Sequence, residues 1–233
     1  LNAIDPIKRE APMDRIPVPQ LTSTDCPAMI LAGGRSSRFG SDKALVDRAG
    51  TPLLLHLHQT LIRHGHSVQV IANCADRYQQ LGLQCLVDVV PDAGPIAGLA
   101  TALRHRQASG AGWSLILSCD QITWHREWFE WLAAEVVNGD PLNPCAAVHF
   151  SSGQVGSEKV GSERLPEPLP CLIHSCALNA VLARIERREL ALHKLLAELA
   201  PRTISPPSTP QRWTFNTREE LWQLKNELPE VPS

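Results

Sequence analysis

Five short apolar runs constrain this chain more than any other feature. CPAMILAGG (26–34), HSVQVIAN (66–73), LQCLVDVV (83–90), WSLILSCD (113–120) and NPCAAVHF (143–150) are nearly continuous in apolar residues and end on glycine, asparagine or aspartate in several cases. Such runs are the mark of strands buried on both faces, as in parallel sheets. Segments with apolar residues at helical spacing separate them. LLLHLHQTLIRHG (53–65) closes with Gly65 as a C-cap, GPIAGLATALRHRQ (94–107) opens on a Gly-Pro turn, and HREWFEWLAAEVVNG (125–139) follows the fourth run. Strands alternating with helices predict an α/β, three-layer Rossmann-like fold with a mostly parallel sheet and helices on both faces.

The flanks read differently. Residues 1–25 hold four prolines and mixed charge with no sustained period, which predicts a flexible leader; the chain opens on Leu1 rather than Met, so its natural start can lie elsewhere. Residues 151–170 are rich in Ser, Gly, Glu and Pro and predict a mobile loop near 151–165. LPCLIHSCALNAVLARIERRELALHKLLAELA then reads as a short strand and helical material, and PRTISPPSTP as a second Pro/Ser stretch. QRWTFNTREELWQLKNEL reads as an edge strand, an N-cap at Asn216 or Thr217, and a last helix with Glu219 and Glu220 in its first turn. The expectation is a single domain over residues 26–225 with a tail at 226–233.

With 233 residues, 43% of them hydrophobic, and a formal net charge of -2, the chain can bury one sizeable core and is not disordered as a whole. The charge balance gives no footprint for a nucleic acid: Arg184, Arg187 and Arg188 share their segment with Glu186 and Glu189. Without an apolar run of about 18 residues or a signal-peptide pattern, a soluble cytoplasmic protein is expected. Seven cysteines form no CxxC pair, so reduced thiols, mostly buried, are expected rather than a zinc site.

Ligands of open parallel sheets bind beyond the C-terminal strand ends. Past the first run lies LAGGRSSRFGSDKAL (31–45), where Gly33 and Gly34 permit close backbone approach, Ser36, Ser37 and the amides can bind phosphate oxygens, and Arg35, Arg38 and Lys43 bring positive charge. Neither GxxxxGK[ST] nor GxGxxG occurs there. Asp88 follows the third run directly, while Asp92 suits a turn or cap. Asp120 ends the fourth run, where a carboxylate needs a cation or strong donors; Mg²⁺, which combines carboxylate and substrate phosphate oxygens, is the natural partner. These features alone define an α/β enzyme that handles a nucleotide with a divalent metal. They do not separate attack at the α-phosphorus from γ-phosphoryl transfer.

LAGGRSSRFGSDKAL, GPIAGLATAL, EPLPCLIHSCAL and FNTREEL resemble the motifs of the molybdenum cofactor guanylyltransferase family over roughly residues 26–225. The resemblance implies a nucleotidyltransferase in which the terminal phosphate of molybdopterin attacks the α-phosphorus of Mg-GTP and pyrophosphate leaves. It implies that Leu31, Ala32, Gly33 and Gly34 contact the nucleotide through the backbone, and that Lys43 and Arg38 stabilise its phosphates. Asn73 would assist nucleotide binding, Asp88 would help to read guanine, Asp120 would ligate magnesium, and Asn216 and Thr217 would face the pterin. It further implies transient contact with molybdenum-insertion proteins and molybdoenzymes. A monomer is the expectation, with no nucleic-acid or membrane partner.

Departures stand beside these matches. The family's Pro-Cys-Asp-Met-Pro run reads Ser118, Cys119, Asp120, Gln121, Ile122 here and continues to Thr123 and Trp124, so two proline constraints are missing beside the expected metal ligand. Phe39 replaces a methionine, and Arg218 a proline. Cytidylyl or other nucleotidyl transfer, or a nucleotide- or pterin-binding protein without catalysis, are therefore the alternatives. His56, His58, His64 and His66 do not converge as a metal cluster, because residues two apart on a helix do not face each other. Trp124, Trp128 and Trp131 have the spacing of a packed helical face, and Ser175 with His174 has no third member for a triad.

Overall fold

The computed structural model describes residues 21–33, 40–91, 93–137, 146–150, 159–160, 163–164, 169–199, 202–204, 214–215, 217 and 219–222. In chain order the strands are β1 (Ala28–Leu31), β2 (Asp47–Arg48), β3 (Thr51–Pro52), β4 (Val68–Ala72), β5 (Cys85–Val87), β6 (Trp113–Ser118), β7 (Ala147–Phe150), β8 (Lys159–Val160), β9 (Glu163–Arg164), β10 (Cys171–His174) and β11 (Arg202–Ile204). The helices are α1 (Leu53–Arg63), α2 (Pro95–Ala108), α3 (Arg126–Val137), α4 (Leu178–Glu186) and α5 (Leu192–Glu198).

One seven-stranded sheet has the order β11-β7-β10-β6-β1-β4-β5. β1 is parallel to β4 and β6, β4 to β5, and β7 to β11, whereas β10 is antiparallel to both β6 and β7. β2 with β3, and β8 with β9, form short antiparallel ribbons apart from it. The mostly parallel sheet expected from the apolar runs is the one observed.

Period-two alternation explains why helices cover both faces. Ile30, Val70, Leu115 and Leu117 turn to one side, where they pack with Leu54, Leu57 and Leu61 of α1 and Trp128, Phe129 and Leu132 of α3. Their neighbours Met29, Ile71 and Ile116 turn to the other, joining Ile96, Leu99 and Leu103 of α2, Val181 of α4 and Leu195 of α5. α2 packs against both the sheet and α4, so Ile96 through Leu103 are buried and the helix needs no polar face there. α1 ends where Gly65 takes φ 91°: its N–H donates to Ile62 O at 2.9 Å, and His66 N–H to Leu61 O at 3.1 Å. Gly65 thus stands one residue beyond the C-cap, His64, rather than at it.

β10 is inserted between β7 and β6 and runs antiparallel to both. Two further details differ from the sequence reading. The stretch PRTISPPSTP contributes β11 at the sheet edge, where β-branched Thr203 and Ile204 pair with β7. Trp124 precedes α3 instead of lying on it, though it packs edge-on against Trp128 with ring centroids 5.7 Å apart, while Trp131 is exposed. Of the expected edge strand in QRWTF, residues 211–213 lie outside the described residues, and Thr214 and Phe215 are not in a strand.

Thr217 is the cap of the helical turn at 219–222: its hydroxyl accepts from Glu220 N–H at 3.1 Å and Glu220 Oε2 accepts from Thr217 N–H at 3.3 Å. Described cysteines are free thiols, with Cys26, Cys85 and Cys171 buried and Cys74 and Cys176 exposed. Among the described residues no helix is long and apolar enough to cross a membrane.

Candidate active site

The C-terminal ends of β1, β4, β5 and β6 carry every charged group singled out above that falls in the described part of the sheet. Lys43 begins a 3-10 turn (Lys43–Leu45) whose N-cap is Asp42. Asp42 Oδ1 accepts from Ala44 N–H at 3.0 Å, the hydrogen bond an aspartate cap makes to the second residue of a turn. From this turn Lys43 Nζ donates to Asp120 Oδ2 at 3.1 Å and to Phe215 O at 2.7 Å, and stands 5.4 Å from the Phe215 ring centre. The pair therefore joins the loop after β1 to the end of β6 and to the C-terminal segment.

Asp120 also accepts from the Ser118 hydroxyl through Oδ1. Burial pushes its carboxyl above the ordinary aspartate range, and the Lys43 ammonium opposes that rise. Side-chain exposure is only 17% for Asp120 and 12% for Lys43, so their attraction acts where water screens it poorly. The carboxylate is held ready beside a cation.

Asp88 occupies a tighter place. Its amide donates to Ala72 O at 2.9 Å, which fixes it at the end of β5 beside β4. A Cβ on Gly33 would lie 2.8 Å from Asp88 Oδ2, and one on Gly98 would lie 3.6 Å from Asp88 Oδ1 and 3.1 Å from Leu31 Cδ2. Glycine at 33 is thus required by the close approach of the carboxylate to the backbone after β1. Asp88 Oδ1 is buried with no hydrogen-bond partner among the described residues, and burial raises its pKa. An unsatisfied buried acceptor costs stability unless a ligand supplies a donor.

A polar network ties the first loop to the second. Arg77 donates to Asp42 Oδ2 through Nη2 at 2.9 Å and Nε at 3.3 Å, and to Asn73 Oδ1 through Nη1 at 2.6 Å. The buried Tyr78 hydroxyl lies 3.1 Å from both Ala32 O and Asp42 Oδ2. Arg77 and Tyr78 were not singled out from sequence. The available signals were an arginine four residues past Asn73 and the only tyrosine of the chain.

Lys43 and Asp120 are in contact, and Gly33, Asn73 and Asp88 adjoin one another: the Cβ position of Gly33 is 3.7 Å from Asn73 N. The backbone of Leu31 and Ala32 is already engaged, since Leu31 O accepts from Cys119 N–H at 3.1 Å and Ala32 N–H donates to Ile71 O at 2.8 Å. Thr217 is exposed and caps its turn. Gly34, Arg38 and Asn216, together with Arg35, Ser36, Ser37, Phe39, Asp92 and Arg218, lie outside the described residues.

The segment after Asp120 is constrained without its prolines. Gln121 is fully buried and its Nε2 donates to Thr123 O at 2.9 Å, Arg48 Nη1 donates to Ile122 O, and Ile122 and Trp124 are buried. Ile122 packs with Leu53 and Phe215, whose carbonyl receives Lys43.

A mostly parallel sheet with helices on both faces, which gathers a lysine, two carboxylates and a glycine-lined notch at its strand ends, is the architecture of a Rossmann-like nucleotidyltransferase. The chain belongs to the family described as the MobA-like NTP transferase domain, which matches residues 28–203. It is 31% identical to the molybdenum cofactor guanylyltransferase of Rhizobium meliloti (strain 1021), over 87% of this chain and 92% of the relative. The molybdenum cofactor guanylyltransferase of Cupriavidus metallidurans is 28% identical over 70% of this chain and 76% of its own. Among solved structures, molybdopterin-guanine dinucleotide biosynthesis protein A of Archaeoglobus fulgidus superposes with a TM-score of 0.59 at 19% identity, covering 87% of this chain and 88% of that one. A 4-diphosphocytidyl-2C-methyl-D-erythritol synthase superposes with a TM-score of 0.60 at 11% identity, covering 88% and 99%. These superpositions establish the shared fold.

Proposed function

We propose that this protein transfers GMP from Mg-GTP to the terminal phosphate of molybdopterin, giving the guanine dinucleotide cofactor and pyrophosphate. The observation that carries the reading is the Lys43–Asp120 pair, built from the signature loop after β1 and the end of β6. The matching activity named for the Rhizobium meliloti relative supports it.

The donor set fits a magnesium ion that keeps most of its water. Asp120 offers a partly exposed carboxylate at the strand end, and among the described residues no group of three His, Cys, Asp or Glu side chains could hold a metal by itself. Mg²⁺ accepts such a site, taking one carboxylate together with substrate phosphates. When bound it would neutralise polyphosphate charge and make the α-phosphorus more electrophilic.

The chain's own groups do the rest. Lys43, held between Asp120 Oδ2 and Phe215 O, presents its ammonium to the phosphates and stabilises charge developing on the pyrophosphate. Asp88 accepts hydrogen bonds from the base; its orphaned buried oxygen suits guanine, whose N1–H and exocyclic amine present adjacent donors. Arg77 and Tyr78 hold Asp42, and with it the turn carrying Lys43, against the Asn73 loop. The acceptor phosphate attacks in line and pyrophosphate departs, so no covalent enzyme intermediate is required. Cytidylyl or other transfer, and binding without catalysis, are the outcomes that the test separates.

The test is pyrophosphate release from the purified protein with Mg²⁺, molybdopterin and each nucleoside triphosphate in turn, with the pterin product identified. Release with GTP alone and formation of a guanine dinucleotide are expected. Asp120→Asn should lower the rate by about a hundredfold to a thousandfold while the protein stays folded, the scale of losing one charge-positioning group. Release with CTP would replace the guanylyl reading with a cytidylyl one. Silence with every nucleotide in folded, pterin-binding protein would reduce the proposal to a binding protein.

A further inference from the structure

Behind the Leu53–Ile122–Phe215 cluster lies a second concavity of about 170 Å³, between α1, the β2 ribbon and residues 122–124. Arg48, His56 and Arg63 line it, with the hydroxyl-bearing Thr60 and Thr123 and the buried Trp124. Arg48 is half-buried and Arg63 exposed, and among the described residues neither forms an ion pair with a carboxylate. The adjacent acid, Asp47, is turned to the Gly50 amide instead. Arg63 Nη2 donates to the Thr60 hydroxyl at 3.0 Å and Arg48 Nη1 to Ile122 O, so each guanidinium keeps further N–H groups for a ligand. Two cations and an imidazole thus share one cavity in which, among the described residues, no carboxylate is paired with either guanidinium.

We propose that this cavity is an oxyanion subsite that takes a phosphate group, separate from the Lys43–Asp120 pair. Guanidinium groups match phosphate oxygens in charge and in their planar fork of donors, and the Thr60 hydroxyl, which accepts from Arg63, keeps its own hydrogen to donate. The volume is below that of pockets for drug-sized ligands, which run from about 300 Å³ upward, so it suits one or two phosphate groups and not a whole nucleotide. The present cost of the arrangement is visible on its members: burial lowers the pKa of Arg48, and burial followed by the charges of Arg48 and Arg63 lowers that of His56. A bound anion relieves both. Its effect can reach the candidate active site through Ile122, which lines the cavity, accepts from Arg48 through its carbonyl, and packs against Phe215.

The experiment is a titration of the full chain with inorganic phosphate in magnesium-free buffer, followed through the histidine ring resonances, with His56 assigned by His56→Gln. A saturable shift of His56 and a rise in its titration midpoint are expected in the wild type and equally in Lys43→Ala. Apparent affinity should fall by about tenfold or more in Arg63→Gln, the cost of one charge-assisted hydrogen bond, and further in the Arg48→Gln/Arg63→Gln variant. Arg63 is exposed, so its single variant keeps the test valid if the double variant fails to fold. Pyrophosphate and glycerol phosphate, titrated in parallel, distinguish a free anion from a phosphorylated metabolite as the source. Absence of a saturable His56 shift, an unchanged shift in Arg63→Gln, or a response to GTP alone that vanishes in Lys43→Ala overturns the proposal. None of these readouts depends on pyrophosphate release, so failure of the transfer reaction is scored separately.

Discussion

β1 and β6 are neighbours in the sheet and deliver opposite charges to the same place, but the segments that follow them are held by different forces. Past β1, directional bonds do the holding: Asp42 receives Ala44 N–H, Arg77 and Tyr78, and Arg77 reaches across to Asn73. Past β6, packing does most of it: Gln121, Ile122 and Trp124 are all buried, and the hydrogen bonds that fix the backbone are scattered, from Gln121 N–H to Ser118 O, from Gln121 Nε2 to Thr123 O and from Arg48 to Ile122 O. The contrast explains why two missing prolines are tolerable beside Asp120. A well-placed proline contributes about 0.4–1 kcal/mol, chiefly by restricting the unfolded chain, whereas burial of one large apolar side chain contributes about 1.5–3 kcal/mol. Ile122 and Trp124 outweigh what the prolines would add.

The comparison breaks most visibly at Trp124. Trp124→Ala should cost about 3–5 kcal/mol, which for a chain of this size lowers Tm by roughly 6–20 °C. Asp120 would then lose its backing, and activity should fall in the protein that remains folded. Trp124→Phe keeps most of the packing and removes an indole N–H that lacks a partner, so its Tm should stay close to wild type. Calorimetry on both variants decides the matter: a Tm for Trp124→Ala within a degree or two of wild type would mean that packing does not hold the segment.

Arg77 is the corresponding test of the polar side. Arg77→Met removes the hydrogen bonds to Asp42 and Asn73 at once, with an expected stability loss of about 1–3 kcal/mol. Because the network positions loops instead of touching reacting atoms, nucleotide KM should rise by about tenfold, equivalent to 1.4 kcal/mol, with a smaller change in kcat. Arg77→Lys should recover little, since an ammonium cannot reproduce the two-sided guanidinium geometry. Equal loss of kcat and kcat/KM would instead assign Arg77 to the transition state.

The sheet was legible in the sequence because strands buried on both faces must be apolar almost throughout, and Ile30, Ile71 and Leu117 are where that rule puts them. The contact between Lys43 and Asp120, 77 residues apart in the chain, was legible only as a shared location at strand ends; its geometry depends on tertiary packing that no local pattern encodes. β10 and β11 were harder. A four-residue strand inserted antiparallel and a three-residue edge strand between prolines carry too little periodicity to declare their neighbours. Arg77 and Tyr78 escaped because a solvated arginine and a core tyrosine look the same in sequence as a latch does.

Asp88 offers the smallest effect and the most discriminating one. Its pKa is raised by burial, so its contribution to stability is present in full below the ordinary aspartate range and is lost as pH rises through the elevated value. At neutral pH the carboxylate therefore costs the apo protein stability. Asp88→Asn should raise Tm at pH 7 by on the order of 2 °C, and the gain should vanish as the pH falls below the range in which aspartate ionises. Guanine nucleotide affinity should fall in the same variant, because an amide presents one acceptor where the carboxylate presents two. Thermal melts from pH 3 to 8, paired with nucleotide titrations, separate the possibilities. A gain in Tm that persists at acid pH would trace the effect to packing around Gly33 and Gly98, whereas a gain confined to neutral pH would mark Asp88 as a charge kept at a cost for its ligand.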